Sequence, residues 1–140
     1  MKTLSSLIFG LFVIFYAVAQ EKAETEDTKA GPRISFAEST FDFGDIYQGD
    51  KVEHTFVFEN TGTEPLIITN VQTTCGCTVP KWPREPIPPG QEGKIVVRFD
   101  SAGKINKVNK VVKIISNAVT PLNQVTISAN ILPAKKADSN

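Results

Sequence analysis

From Arg33 onward apolar and polar residues alternate along the chain. Val52, His54, Phe56 and Phe58 are interleaved with Glu53, Thr55, Val57 and Glu59, the two-residue period of a strand with one buried face. Phe41 and Phe43 alternate with Thr40, Asp42 and Gly44; Ile95, Val97 and Phe99 with Lys94, Val96 and Arg98; and Val125, Ile127, Ala129 and Ile131 with Thr126, Ser128 and Asn130. Leu66 to Val71 and Val111 to Ile115 are rich in branched residues and read as two further strands. Asn60 to Pro65 and Ala102-Gly103 are turns. Pro80, Pro83, Pro86, Pro88 and Pro89 oppose continuous pairing, which predicts an extended loop over Val79 to Gly90. Beyond the N-terminal stretch no window of helical length carries a 3.6-residue period. About seven short strands in about 100 residues predict an all-β fold, an antiparallel sandwich of two sheets. The turn after Glu59 predicts a hairpin with the strand from Leu66, setting His54 opposite Val71 and Cys75 opposite Asp50.

The ends read differently. Lys2, the apolar run Leu7 to Val18 and the small residues Ala17 and Ala19 have the form of a secretory signal peptide over 1–19, cut after Ala19. The run is short of the roughly 20 apolar residues a membrane span needs, and Glu21 and Lys22 follow at once. No stable membrane span is expected after cleavage, and with no Cys at the cut a lipid anchor is not implied. Residues 20–32, with Glu21, Glu24, Glu26 and Asp27 and no branched aliphatic or aromatic side chain, are expected to form a flexible acidic leader. One domain over 33–133 follows, then a short disordered tail over 134–140. The expected location is periplasmic or secreted.

The formal net charge of zero hides an asymmetry. Gln20 to Glu64 is acidic, and no acidic residue stands between Asp100 and Asp138, where Lys104, Lys107, Lys110 and Lys113 recur. Three-residue spacing alternates faces on a strand, so these lysines form no single stripe and read as guards against edge pairing. No aromatic residues are interleaved with them, and nucleic acid is not an expected partner.

The two cysteines of the chain are Cys75 and Cys77, separated by Gly76. As a staple the pair is weak: a three-residue loop is worth about 1.6 kcal/mol against roughly 3 for fifteen residues. Gly76 is expected to bend the backbone so that the sulfurs can meet. Four readings stand open: a local disulfide or inert thiol pair, a labile redox disulfide, a thiolate clamp for Cu(I) or Zn(II), and pairing with another protein's thiol. The spacing is not Cys-x-x-Cys, and two thiolates cannot complete a tetrahedral zinc site. His54 is the obvious third ligand, yet the expected hairpin leaves it about 13 Å from the cysteines along the strand. Its in-phase apolar neighbours favour a half-buried structural histidine. Trp82 either caps the core beside the cysteines or anchors an interface together with Lys81 and Arg84. Gly44 and Gly62 read as a bulge and a turn.

Four segments in order, Phe41-Asp42-Phe43-Gly44-Asp45-Ile46, Phe58-Glu59-Asn60-Thr61-Gly62 with Pro65-Leu66-Ile67-Ile68, Cys75-Gly76-Cys77-Thr78-Val79-Pro80, and Pro86-Ile87-Pro88-Pro89-Gly90, resemble the bacterial domain of unknown function 1573. That family is common in exported proteins and is similar to the immunoglobulin-like domains of the major sperm protein and hydin class. The resemblance spans about Ile34 to Ile131. It implies an Ig-like sandwich, an envelope location and a scaffolding or partner-binding role, and it names no substrate. An inter-sheet cysteine pair and a tyrosine corner are missing, so an antibody-type domain is not implied. Carboxylates are scattered, His54 stands alone, and no glycine-rich phosphate loop occurs. The expectation is therefore a non-enzymatic, cofactor-free module that binds a protein or an envelope component. The alternative is thiol-based redox or soft-metal chemistry at Cys75 and Cys77. Strand addition along Val111 to Ile115 is a third possibility.

Overall fold

The computed structural model describes residues 30–120 and 122–136. The expected signal peptide, the leader up to residue 29 and residues 137–140 lie outside the described residues. Within them the chain forms eight strands: β1 (Ile34–Phe36), β2 (Thr40–Tyr47), β3 (Lys51–Asn60), β4 (Ile68–Thr73), β5 (Thr78–Lys81), β6 (Glu92–Asp100), β7 (Asn106–Ser116) and β8 (Leu122–Leu132). They build two four-stranded sheets with the orders β1-β3-β6-β5 and β2-β8-β7-β4. The all-β sandwich of two sheets is as the pattern predicts, with eight strands in place of about seven, and its Ig-like form is as the resemblance implies. It is not wholly antiparallel, because β2 runs parallel to β8. The first strand is split, β1 joining one sheet and β2 the other.

The inward positions form one core. Phe56, Phe58, Ile95, Val97 and Phe99 of the first sheet meet Val112, Ile114, Val125, Ile127, Ala129 and Ile131 of the second, all almost fully buried. Burial on this scale supplies the main favourable term of folding. Gly31 and Pro32 are buried too, their carbonyls accepting from the Thr63 and Val119 amides, so the packed chain begins ahead of Arg33. At the other end the Lys135 ammonium lies 4.4 Å from the Tyr47 ring centroid, which holds the start of the expected tail against the domain.

Two expectations about pairing fail. The predicted hairpin between β3 and β4 does not form: β3 pairs with β1 and β6, and β4 pairs with β7 in the opposite sheet. Alternation fixes which face of a strand is buried and leaves its neighbours open. Here the chain crosses between sheets at Leu66, fully buried and exchanging two backbone hydrogen bonds with Ile87. His54 therefore stands opposite Val97, and Cys75 does not face Asp50. The predicted loop over Val79 to Gly90 starts later than expected. Thr78 to Lys81 pair with β6 despite Pro80, which is tolerated because β5 is an edge strand.

Candidate functional site

Cys75 and Cys77 are joined in a disulfide, their Cα atoms 5.3 Å apart. The chain turns there, with the Thr78 amide donating to the Cys75 carbonyl at 3.4 Å. The Thr73 hydroxyl lies within hydrogen-bond distance of the carbonyls of Cys75 (3.0 Å) and Thr78 (3.2 Å). Gly76 does not take a left-handed φ, and a Cβ on it would meet nothing within 4 Å. Contrary to the sequence reading, the bend does not require glycine. Gly76→Ala is expected to leave stability unchanged or raise it by up to about 1 kcal/mol, through a less flexible unfolded chain. Denaturant unfolding under non-reducing conditions checks this.

The turn has a consequence for the sheet edge. The Asp100 amide donates to the Cys77 carbonyl at 2.9 Å, continuing the β5–β6 ladder. In an antiparallel ladder alternate residues face the partner, so Val79 and Lys81 turn their backbone groups to β6, while Thr78 and Pro80 turn theirs outward. The outward Thr78 N–H is already bonded to Cys75, and Pro80 has none. The free flank of β5 thus offers no donor to an added strand from Thr78 through Lys81. The other edges are guarded as well: β1 has three residues, β2 is irregular between Asp42 and Asp45 with Gly44 at φ 69°, and β4 is irregular between Ile68 and Asn70. Val111 to Ile115, considered for strand addition, lies inside its sheet, with β8 along its whole length and β4 along Val112 to Ile115.

Beside the disulfide the outer face of the first sheet holds a shallow groove of about 500 Å³, lined by residues that include Gly76, Cys77, Val79 and Arg98. Its charged walls are self-neutralised. Arg98 pairs with Glu53, and the Lys51 ammonium lies 3.7 Å from Asp100. Val79 stays 53% exposed, among the more exposed large apolar side chains described.

Lys81, Trp82 and Arg84 follow directly. Trp82 is half-buried against the core, and its indole N–H is buried without an acceptor among the described residues. The Arg84 guanidinium lies 3.9 Å from the indole centroid, a cation–π stack on its open side. Of the two sequence readings of Trp82, packing on the core is what the ring shows, and an exposed arginine covers it. Beyond Arg84 the chain is pinned again at Ile87, bridged to Leu66. Asn60, fully buried at the end of β3, holds this segment from below. Its side-chain amide donates to the carbonyls of Ile87 (2.9 Å) and Glu64 (2.7 Å), and its oxygen accepts from the amides of Gly62 (3.0 Å) and Arg33 (3.3 Å). Its backbone also pairs with Gln91 and Gly90. Asn60 was read only as part of a turn, and its role was not visible in the sequence.

His54 is elsewhere. Its ring stacks on Phe41 at 3.6 Å and meets Phe43 and Phe56 edge-on, while Nε2 sits 2.6 Å from Glu38 Oε1. It joins the two sheets and is not among the residues that line the groove beside the disulfide. Among the described residues no group of three His, Cys, Asp or Glu side chains is placed to hold one metal ion. Described residues include no helix long and apolar enough to cross a membrane.

The described residues thus form an eight-stranded Ig-like sandwich with short or irregular edge strands and a solvent-facing segment from Lys81 to Gly90. A family model described as protein of unknown function (DUF1573) matches residues 34–131, and the chain belongs to that family. No curated protein matches the chain. Similar solved structures include a protein of unknown function from Porphyromonas gingivalis W83, 20% identical with a TM-score of 0.63, covering 72% of this chain and 47% of its own. The ASH/PapD-like domain of human CEP192 is 10% identical with a TM-score of 0.60, covering 73% of this chain and 87% of its own. The VesB protease of Vibrio cholerae is 14% identical with a TM-score of 0.55, covering 70% and 31%. The chain spans about half the length of the first of these and about a third of the last. At these identities the likeness is one of fold.

Proposed function

We propose that the protein is an exported, non-enzymatic binding or scaffolding module of the bacterial cell envelope. The observation that carries this reading is the segment Lys81 to Gly90. Trp82 and Ile87 are inserted into the domain and Asn60 bonds the backbone at Ile87 and Gly90, while Lys81, Arg84, Glu85, Pro86, Pro88 and Pro89 are exposed. Exposed groups held this way lose little freedom on binding, which favours recognition. The Ig-like and PapD-like neighbours and the signal-like N-terminus support the same reading.

Thiol chemistry at Cys75 and Cys77 is the second reading, favoured by the placement of Cys77 in the lining of the open groove. Cross-linking of the exported protein in envelope preparations separates the two. Wild type and Cys75→Ser/Cys77→Ser are expected to retain one specific partner equally, and Trp82→Ala to lose it. Retention that depends on the cysteines and not on Trp82 would reverse the order of the readings; no specific partner for wild type would remove the first.

A further inference from the structure

Among the cations on the outer side of the first sheet, Lys51 and Arg98 are matched by Asp100 and Glu53. Lys81 and Arg84 have no carboxylate partner among the described residues, and both are exposed. Arg84 is the better placed of the two. Its guanidinium carbon lies 3.9 Å from the Trp82 ring centroid while the residue stays exposed, so its N–H groups remain open to a ligand. A planar fork held in this way matches a carboxylate, which can accept two parallel hydrogen bonds from it. Lys81 shares a strand face with Val79, two residues away. Lys81 and Arg84 are three positions apart, a backbone distance of at most about 11 Å. One short extended segment can therefore reach both cations and Val79 together.

We infer that Val79, Lys81 and Arg84, with Trp82 beneath, form a docking surface for an extended acidic segment of a partner protein. This rests on the binding-module reading and gives the partner its chemistry: an apolar side chain against Val79 and the disulfide, and carboxylates on Lys81 and Arg84. The geometry favours a carboxylate-bearing peptide over a phosphate or sulfate polymer. The exposed valine asks for an apolar side chain, which a peptide brings and a phosphate or sulfate polymer does not; the Arg84 fork itself accepts either anion. Because the outer flank of β5 offers no N–H, the segment binds through its side chains and does not extend the sheet.

Trp82 is the sole tryptophan of the chain, so its emission reports directly on this surface. The purified exported protein is titrated with a synthetic octapeptide alternating Val and Asp, with the Val/Asn and Val/Lys counterparts, and with heparin. Saturable change with the Val/Asp peptide is expected, at least tenfold weaker with Val/Asn and absent with Val/Lys. Lys81→Gln/Arg84→Gln is expected to weaken the acidic peptide at least tenfold, and Arg84→Lys at least threefold because charge is kept and the fork is lost. Equal response to Val/Asn, no saturable response, or tighter competition by heparin would overturn the inference. If cross-linking recovers the same partner with wild type and with the double variant, this surface is wrong and the binding module stands. If wild type recovers none, the module reading itself falls.

Discussion

Asn60→Ala is expected to lower the unfolding free energy by about 3–4 kcal/mol, a large share of the roughly 5–15 kcal/mol that holds a domain together. A net hydrogen bond is worth about 1 kcal/mol, and a buried group left without its partner is worth more. The substitution removes four side-chain hydrogen bonds, although the Ile87 carbonyl keeps its bond from the Leu66 amide. Thermal unfolding should shift by on the order of 20 °C. Asn60→Asp distinguishes the lost donor from a simple void. Its carboxylate would face the Glu64 and Ile87 carbonyls, so its pKa in the folded state is raised above the unfolded ~3.9. The sign follows: below ~pH 3.9 both states are protonated and the penalty is smallest, and it grows as pH rises toward the folded pKa. Thermal melts of both variants between pH 3 and pH 7 test this. A loss under 1 kcal/mol for Asn60→Ala, or an Asn60→Asp penalty independent of pH, would mean that Asn60 does not hold the loop.

Asn60 also shows where the sequence stops being legible. Alternation is a local signal written by burial, so the faces of β3, β6 and β8 could be read directly from residues such as Phe56, Val97 and Ile127. The partner of each strand is a long-range fact. Nothing near Glu59 says that the chain will leave its sheet at Leu66, because the instruction lies in an amide side chain bonding a carbonyl 27 residues away. The cysteine turn was legible as a tight local feature. Its effect on the edge was not, since that depends on which β5 amides face β6, a matter of register set by the Asp100–Cys77 hydrogen bond. Lys81, Trp82 and Arg84 stood out by residue type. That Arg84 has no carboxylate partner among the described residues while Arg98 has Glu53 needed the packed sheet. Gly76 looked essential between two cysteines and is not, whereas one of the glycines that matter to packing drew no notice.

That glycine is Gly93. It lies opposite Phe58 in the β3–β6 ladder and is buried. A Cβ there would fall 2.8 Å from both Phe58 Cε2 and Ile87 Cδ1 and nearer still to Phe58 Cζ. Phe58 is 1% exposed and packs against Phe36, its ring centroid 5.6 Å away, so its ring cannot swing clear without displacing the core. Overpacking of this kind destabilises by about 1–3 kcal/mol, and the less flexible unfolded chain adds another 0.4–1 kcal/mol or so in the opposite direction only when the native site is unstrained, which this one is not. Gly93→Ala is therefore expected to lose about 2–3 kcal/mol. Phe58→Leu makes room, so Gly93→Ala should be much less harmful in that background, with a coupling of at least about 1 kcal/mol in the double-mutant cycle. Additive effects would show that the ring and the glycine do not meet. The cycle also reaches the proposed binding surface, because Ile87 is the second neighbour of the added methyl and the inner anchor of the Lys81 to Gly90 segment. At temperatures where Gly93→Ala remains folded, its affinity for the Val/Asp peptide should fall although neither Lys81 nor Arg84 has changed, and Phe58→Leu should restore part of it. Unchanged affinity in the folded variant would mean that the anchor does not position Arg84, and that the stack on Trp82 alone suffices.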